Sequence, residues 1–484
     1  MSTRLIENPT AIILGLTALA ALSVFAVGID LFIMTLWIVS GVVILFAWAH
    51  RVASPDDRRL LLTGLFIGLG IRLLIYWVVY DSPHIYPDHR MYWYLGSRLA
   101  DLYGNERVLD VEMIPALGTA TGMFYYIWTA LHVAIVKNEA FVIVSNIIIG
   151  TGCGILTYKI GRQVWDERVA LAGAWLVWLS SAMAQLDVQN MREAIIIFAL
   201  LCAIYGGNII AERWSTRGTI WFSVGIALLL QIRSYIGLLV IGAIAIALFV
   251  IRRTGRVRIL IIMSIIIGLL FAFVASTQLV VIAEKLGEGS TFVDMIVWGH
   301  LGLVANKMQG STLANVHLTS LQDILMFIPI GLGHIIVAPL PWKASGIDMF
   351  FIPDVLLRYV TFPLFVVGTI HTIRTDWRRA FTVLSVAGAI ALLYSVLELG
   401  GNVRHHLQFF PILYLLTAYG WTVVRHYEVT AVLSGLALSA AIWAYTLGSV
   451  SFAMRFFAVL GIALFIWVFV ALHFEYRQPP SVSK

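Results

Sequence analysis

The chain has 484 residues, 60% of them hydrophobic and only 12% charged, with 32 lysines and arginines against 26 acids for a formal charge of +6. No stretch reads as a water-soluble domain of useful size. The basic excess does not indicate nucleic acid, because it sits in short loops between apolar runs.

Apolar runs of about 17–25 residues, each long enough for roughly 30 Å of hydrocarbon, recur throughout and predict an all-α polytopic membrane protein with about fourteen transmembrane helices. In chain order the spans are 11–27, 31–49, 60–79, 140–158, 168–185, 193–211, 218–233, 235–251, 258–276, 352–373, 380–398, 407–424, 429–447 and 455–473. The first two read as an uncleaved helical hairpin. With the N-terminus in the cytoplasm, the inner loops collect Arg51/Arg58/Arg59, Lys159/Arg162/Arg168, Arg213/Arg217, Arg252/Arg253/Arg256/Arg258 and Arg374/Arg378/Arg379, as the positive-inside bias requires. Counting 119–136 or 324–341 as a further span would push one of these clusters outside. Both are read as interfacial or re-entrant helices in outer loops, a depth that suits aromatic runs such as Phe124-Tyr-Tyr-Ile-Trp128. Four regions result: a hairpin at 1–59, a membrane module at 60–258 with a first outer loop at 81–139, a span plus large outer loop at 259–351, and a C-terminal bundle at 352–484.

The remaining ionisable residues converge on the outer side. Asp81 and Asp88 follow the third span, Arg192-Glu193 opens the sixth, Arg233-Ser-Tyr235 marks a tight hairpin turn, and Glu398 and Arg404-His405-His406 flank a late connection. Charges at that depth are costly unless they pair or serve a site. Each also has a plain structural reading: helix caps for Asp81 and Asp88, an interface anchor for Arg192-Glu193, snorkelling for Arg233, headgroup contact for Arg404 and its histidines, and a belt role for Tyr92, Trp93 and Tyr94. Arg72, inside the third span, is equally a partner for a buried acid or a ligand contact. The helix beginning at Asp88 aligns Asp88, Tyr92, Gly96 and Leu99 along one side.

The order of a span, an outer Asp88 helix, an aromatic interfacial helix, a span ending in Tyr158-Lys-Ile-Gly-Arg-Gln-Val-Trp-Asp-Glu-Arg168 and an outer Arg192-Glu193 resembles the membrane-embedded GT-C glycosyltransferases. The likeness is to the branch that uses lipid-phosphate sugars, including protein mannosyltransferases and lipid A aminoarabinose transferases, and covers roughly residues 60–250. Gly400-Gly-Asn-Val-Arg404-His-His-Leu-Gln-Phe-Phe-Pro411 resembles an Arg-containing segment of polysaccharide-assembly proteins. The resemblance implies that Asp88 stands where the family has its catalytic aspartate and Glu193 where it has a second acid. The chain departs from the pattern in its preceding hairpin and in having His89 where a second acid is common.

A transferase facing outward must draw on a donor already carried across the membrane, and a polyprenyl-phosphate sugar fits. The expected roles are Asp88 as general base, Glu193 and Asp81 as acidic support, Arg404, Arg233, Arg192 and His405 on the donor phosphate, and Tyr92, Trp93 and His89 on sugar or acceptor. The acceptor would be a glycan, a lipid or a protein, and inversion at the anomeric carbon is expected. No cofactor is implied. No metal motif is evident, although a divalent ion is possible. Cys153 and Cys202 fall within spans and suggest neither a disulfide nor a metal site. The scarcity of cysteines and glycosylation signals in the outer loops favours a bacterial inner membrane, with the site facing the periplasm. Three other classes compete: an O-antigen-type polymerase or ligase, resembling the chain at Arg404-His405-His406, a lipid-linked glycan transporter or flippase, and a scaffold for an envelope assembly complex.

Overall fold

A computed structural model describes residues 29–79, 86–104, 123–251, 346–397 and 403–424, with isolated positions at 328–336 and 427–438. The predicted spans 11–27, 258–276 and 455–473, most of 429–447, and the residues Asp81 and Glu398 lie outside the described residues, as does nearly all of 277–345. Every regular element among the described residues is helical. Among the described residues, six helices are long and apolar enough to cross a membrane, or seven if one bent pair forms a single span. The described part of the protein is thus all-helical and compatible with integral membrane insertion. It divides into two units, Met1–Leu269 and Leu270–Lys484.

The first unit contains α1 (Ile29–Val52), α2 (Arg58–Val79), α3 (Pro87–Gly104), α4 (Met123–Ile135), α5 (Glu139–Val164), α6 (Glu167–Leu179), α7 (Ser181–Asp187), α8 (Glu193–Glu212), α9 (Thr216–Ile232) and α10 (Ser234–Ile251). The apolar windows of α5 and α8 are each 89% buried, against 17% for α1 and 28% for α2. The first two therefore form the centre, while α1 and α2 present Ile44, Phe66, Leu74 and Trp77 outward. Such exposed apolar faces are stable only against lipid, where helices satisfy their own backbone. At 13 residues, α4 is about 20 Å long and too short to cross. That length agrees with an interfacial reading of 119–136.

Close helix contacts depend on small residues. Gly64 and Gly68 of α2 admit the indole of Trp178 from α6, whose Nε1 donates to the Thr151 carbonyl at 2.8 Å. Gly225 of α9 lies against the backbone of Ala199 and Ala203 on α8, a small-residue contact suited to a medium without a hydrophobic driving force between helices. Starts are set by local caps: Asn138, Asp166 and Ser215 accept from Ala140, Val169 and Gly218 N–H respectively.

The expected span 168–185 is broken. Ser180 accepts from the Met183 N–H and starts α7 at a 57° bend from α6. The bend delivers Asp187, fully buried, to Arg72 of α2, whose Nε donates to Oδ2 at 2.8 Å. The same guanidinium reaches the Gly68 and Trp178 carbonyls. Arg72 is thus the partner of a buried acid, and Gly150 must lack a side chain because a Cβ there would strike the Asp187 carboxylate. Arg72→Met should leave that carboxylate unpaired and cost roughly 3–5 kcal/mol, whereas R72M/D187L should recover most of the loss. Denaturant unfolding in detergent reads both, and equal losses for the single and double variants would deny that the pair is coupled.

In the second unit, the expected spans 352–373 and 380–398 are not separated by a loop. The helix α11 (Ile352–His371) passes through a π turn at Thr372–Asp376 into α12 (Trp377–Leu397). The continuous run Met349–Ser395 has 47 residues, about 70 Å and more than twice the hydrocarbon thickness. The turn contains neither glycine nor proline, and Asp376 within it and His371 just before it find tyrosine partners to the side. Tyr419 Oη donates to Asp376 Oδ2 at 2.7 Å, and His371 Nδ1 lies 2.9 Å from Tyr427 Oη. The basic residues Arg374, Arg378 and Arg379 therefore stand at mid-length on a helix. Alongside runs α13 (Phe410–Val423), where Gly368 and Gly420 permit backbone contact with α11.

Candidate functional site

One end of the first unit gathers the start of α3, the start of α5, the connection 188–192, the start of α8 and the α9–α10 junction. The connection is the organising element. Its Asn190 N–H donates to His89 Nδ1 at 2.8 Å, and its Gln189 Oε1 accepts from the Tyr86 N–H at 3.1 Å. From below, Asn146 Nδ2 on α5 donates to the carbonyls of Gln189 and Met191, and Tyr125 Oη on α4 donates to Asn190 Oδ1 at 2.9 Å. Three separate segments, the start of α3, α4 and α5, thereby fix the approach to Arg192 and Glu193.

His89 is buried, with Nδ1 accepting from the Asn190 N–H at 2.8 Å, which leaves the ring proton on Nε2; Nε2 lies 3.0 Å from Glu139 Oε1. Buried against the connection and beside Glu139 of α5, His89 is a packing contact of α3 rather than the open sugar contact expected of it. Tyr92 is only 2% exposed and packs edge-on against Tyr125 at 4.7 Å, with Tyr126 at 5.2 Å. It therefore forms a wall, not an open platform. Trp93 is half-buried and Tyr94 exposed on the outer side of α3. Gly96 allows α3 to meet α4 at Thr129.

The charged residues surround Tyr92. The Arg192 guanidinium lies 5.9 Å from its ring centroid. Burial pushes the Tyr92 phenol well above its ordinary value. Arg192 opposes that rise, while the negative charges of Glu193 and Asp88 add to it. Asp88, Arg192 and Glu193 therefore share one electrostatic neighbourhood. Asp88 stands in the first turn of α3, partly exposed, as does Arg192 at the start of α8. Glu193 is fully buried and accepts from Arg233 Nη2 at 3.1 Å, Arg233 itself being 1% exposed.

That geometry reorders the expected roles. Arg233 is buried against Glu193, whereas Arg192 is partly exposed beside Tyr92. Asp88, Tyr92, Arg192, Glu193 and Arg233 are brought together as the sequence suggests, whereas Asp81 lies outside the described residues. No family model matches the chain, and no curated protein does.

Arg404 and His405 belong to the second unit. There Tyr394 stacks on His405 at 5.8 Å and donates to Gln408 Oε1 at 2.7 Å, while Arg404, His405 and His406 are all buried. On the neighbouring α11, Asp354 accepts from Tyr414 Oη at 2.6 Å, and Arg358 lies over the Phe410 ring. Sequence reading overlooked Asp354 and Arg358, and also Asp187, Glu139 and Asn190. The signal for Asp354 and Arg358 was their i, i+4 spacing at a span end. Asp187 and Asn190 had only their position within an apolar context. Among the described residues no cluster of three His, Cys, Asp or Glu side chains could hold a metal ion.

Proposed function

We propose that the chain is a membrane glycosyltransferase of the GT-C kind, transferring a sugar from a polyprenyl-phosphate donor to a glycan, lipid or protein acceptor on the outer face of a bacterial inner membrane. In this reading the basic loops of the first unit face the cytoplasm, and its Asp88 end opens to the periplasm. The observation that carries the reading is the joint placement of a partly exposed carboxylate, Asp88, and a partly exposed guanidinium, Arg192, around the buried Tyr92 wall.

Asp88 takes the proton from an acceptor hydroxyl as that oxygen bonds to the anomeric carbon. The anomeric carbon–phosphate oxygen bond breaks, and its electron pair leaves with the polyprenyl phosphate. Arg192 receives the growing charge, helped by the positive field of Arg233 within its pair. Attack from the face opposite the lipid inverts the sugar, so NMR of the product should show the anomer opposite to that of the donor. A retained configuration would count against single displacement.

The test supplies labelled polyprenyl-phosphate sugars to membranes containing the protein and looks for labelled, acceptor-linked sugar. Product with the natural protein and none with Asp88→Asn supports the proposal. Product with both overturns it.

A second reading, an O-antigen-type polymerase or ligase, draws on the buried Arg404–His405–His406 segment with Asp354 and Arg358 nearby in the chain fold of the second unit. It predicts that Arg404→Gln stops glycan growth while Asp88→Asn is tolerated.

A further inference from the structure

The opposite, arginine-rich end of the first unit holds a feature that the transfer chemistry does not use. Lys159, on the penultimate turn of α5, is 92% buried, since its exposure is 8%. Its Nζ lies 3.9 Å from the ring centroid of Tyr205 on α8, 4.7 Å from that of Trp221 on α9 and 5.7 Å from that of Trp48 on α1. Trp48 and Trp221 stack with each other at 6.0 Å. Arg217, exposed at the start of α9, donates to Tyr205 Oη at 2.9 Å and places a second cation on the same ring.

Three rings attract a cation through their faces, but no carboxylate bonds to the Lys159 ammonium among the described residues. This differs from neighbouring cations: Arg162 pairs with Glu167 at 3.1 Å, and Arg72 pairs with Asp187. Near Tyr205, one turn further along α8, Asn208 is 3% exposed and neither atom of its amide has a hydrogen-bond partner among the described residues. Buried amides are nearly always satisfied, so an unfilled one points to a missing polar ligand or water. Two cations sharing a ring repel each other, and an anion between them would offset both the repulsion and the desolvation of the lysine.

We propose that the aromatic cluster formed by α1, α5, α8 and α9 around Lys159 binds the phosphate of an anionic lipid headgroup, with Lys159 and Arg217 as its ligands. The lipid source follows from position. The cluster lies between membrane helices at their basic ends, where two tryptophans mark an interface, and basic pockets in such places take anionic headgroups. Arg217 reaches the phosphate from the exposed side, while Lys159 neutralises it from within. The ligand would tie four helices together at the end away from Asp88. The inference does not rest on the glycosyltransferase reading.

The experiment uses the full chain in neutral detergent and measures the shift in unfolding temperature and the binding constant for cardiolipin, for phosphatidylcholine and for inorganic phosphate. Cardiolipin should raise the unfolding temperature of the natural protein, and the other two should not. Arg217→Gln, an exposed change that should not disturb folding, should weaken cardiolipin binding about tenfold, the loss expected for one charge-assisted contact. Lys159→Met should remove the shift altogether, and Lys159→Arg should retain part of it. Stabilisation by phosphatidylcholine equal to that by cardiolipin would overturn the proposal, as would undiminished cardiolipin binding in Arg217→Gln. An equal response to inorganic phosphate would assign the cluster to a soluble anion and overturn the lipid assignment. Should Lys159→Met fail to fold, the Arg217→Gln result alone decides.

Discussion

Asp88→Asn should reduce sugar transfer by about 10²–10⁴-fold, the usual contribution of a positioned general base, while the unfolding temperature stays close to that of the natural protein. The carboxamide is nearly isosteric and cannot accept a proton at neutral pH. Structurally the change is mild, because Asp88 is partly exposed in the first turn of α3 and the deep contacts of that helix are made by His89, Tyr92, Gly96 and Leu99. A helix-end acid that serves only the dipole contributes about 0.3–1 kcal/mol, and its replacement would trim stability slightly and leave turnover intact. The two roles therefore separate: a loss of rate at constant stability favours catalysis, and a small loss of stability at constant rate favours capping.

Glu193 and Arg233 should behave in the opposite way. Both are buried, and Arg233 Nη2 donates to Glu193 Oε1 at 3.1 Å. Removing either partner leaves an uncompensated charge at an apolar helix end, so Glu193→Leu or Arg233→Met alone should cost roughly 3–5 kcal/mol. Replacing both removes the uncompensated charge, and E193L/R233M should regain most of that stability. Activity distinguishes the meaning of the pair. If its positive end helps to hold donor phosphate, the double variant is stable but slow, with the loss appearing in KM for the donor as well as in kcat. If the pair only joins α8 to the α9–α10 junction, the stable double variant transfers sugar at the normal rate.

Much of the first unit was legible from hydrophobic run length and arginine placement. The spans expected at 31–49, 60–79, 140–158, 193–211 and 235–251 correspond to α1, α2, α5, α8 and α10 within a few residues, because lipid imposes a length on an apolar helix that water does not. What escaped was set by side chains meeting across the chain. The bend at Ser180 comes from a local cap inside an otherwise apolar run, and hydropathy does not register it. Asp187 reads as an incidental loop acid until α2 brings Arg72 beside it. The continuous helix through Thr372–Asp376 reads as a loop because four charges stand together, yet Tyr419 takes up Asp376 and Tyr427 meets the adjacent His371 without breaking it. At the candidate site, the residue types were visible but their division of labour was not. Nothing in the order Asp88-His89 says that the histidine is buried against Asn190 and beside Glu139 while the aspartate stays accessible.

The same division bears on Arg192. A sequence with Arg192 next to Glu193 suggests a local pair, but successive residues on a helix point in different directions. Glu193 turns inward to Arg233, and Arg192 turns toward Tyr92.

A cryo-electron microscopy map of the protein with bound polyprenyl phosphate would test the placement of the donor beside Asp88. The phosphate is expected about 3 Å from the Arg192 guanidinium, with the Asp88 carboxylate open to the space where a sugar and an acceptor hydroxyl would meet. A phosphate bound elsewhere, with Asp88 facing lipid tails, would contradict the transferase reading.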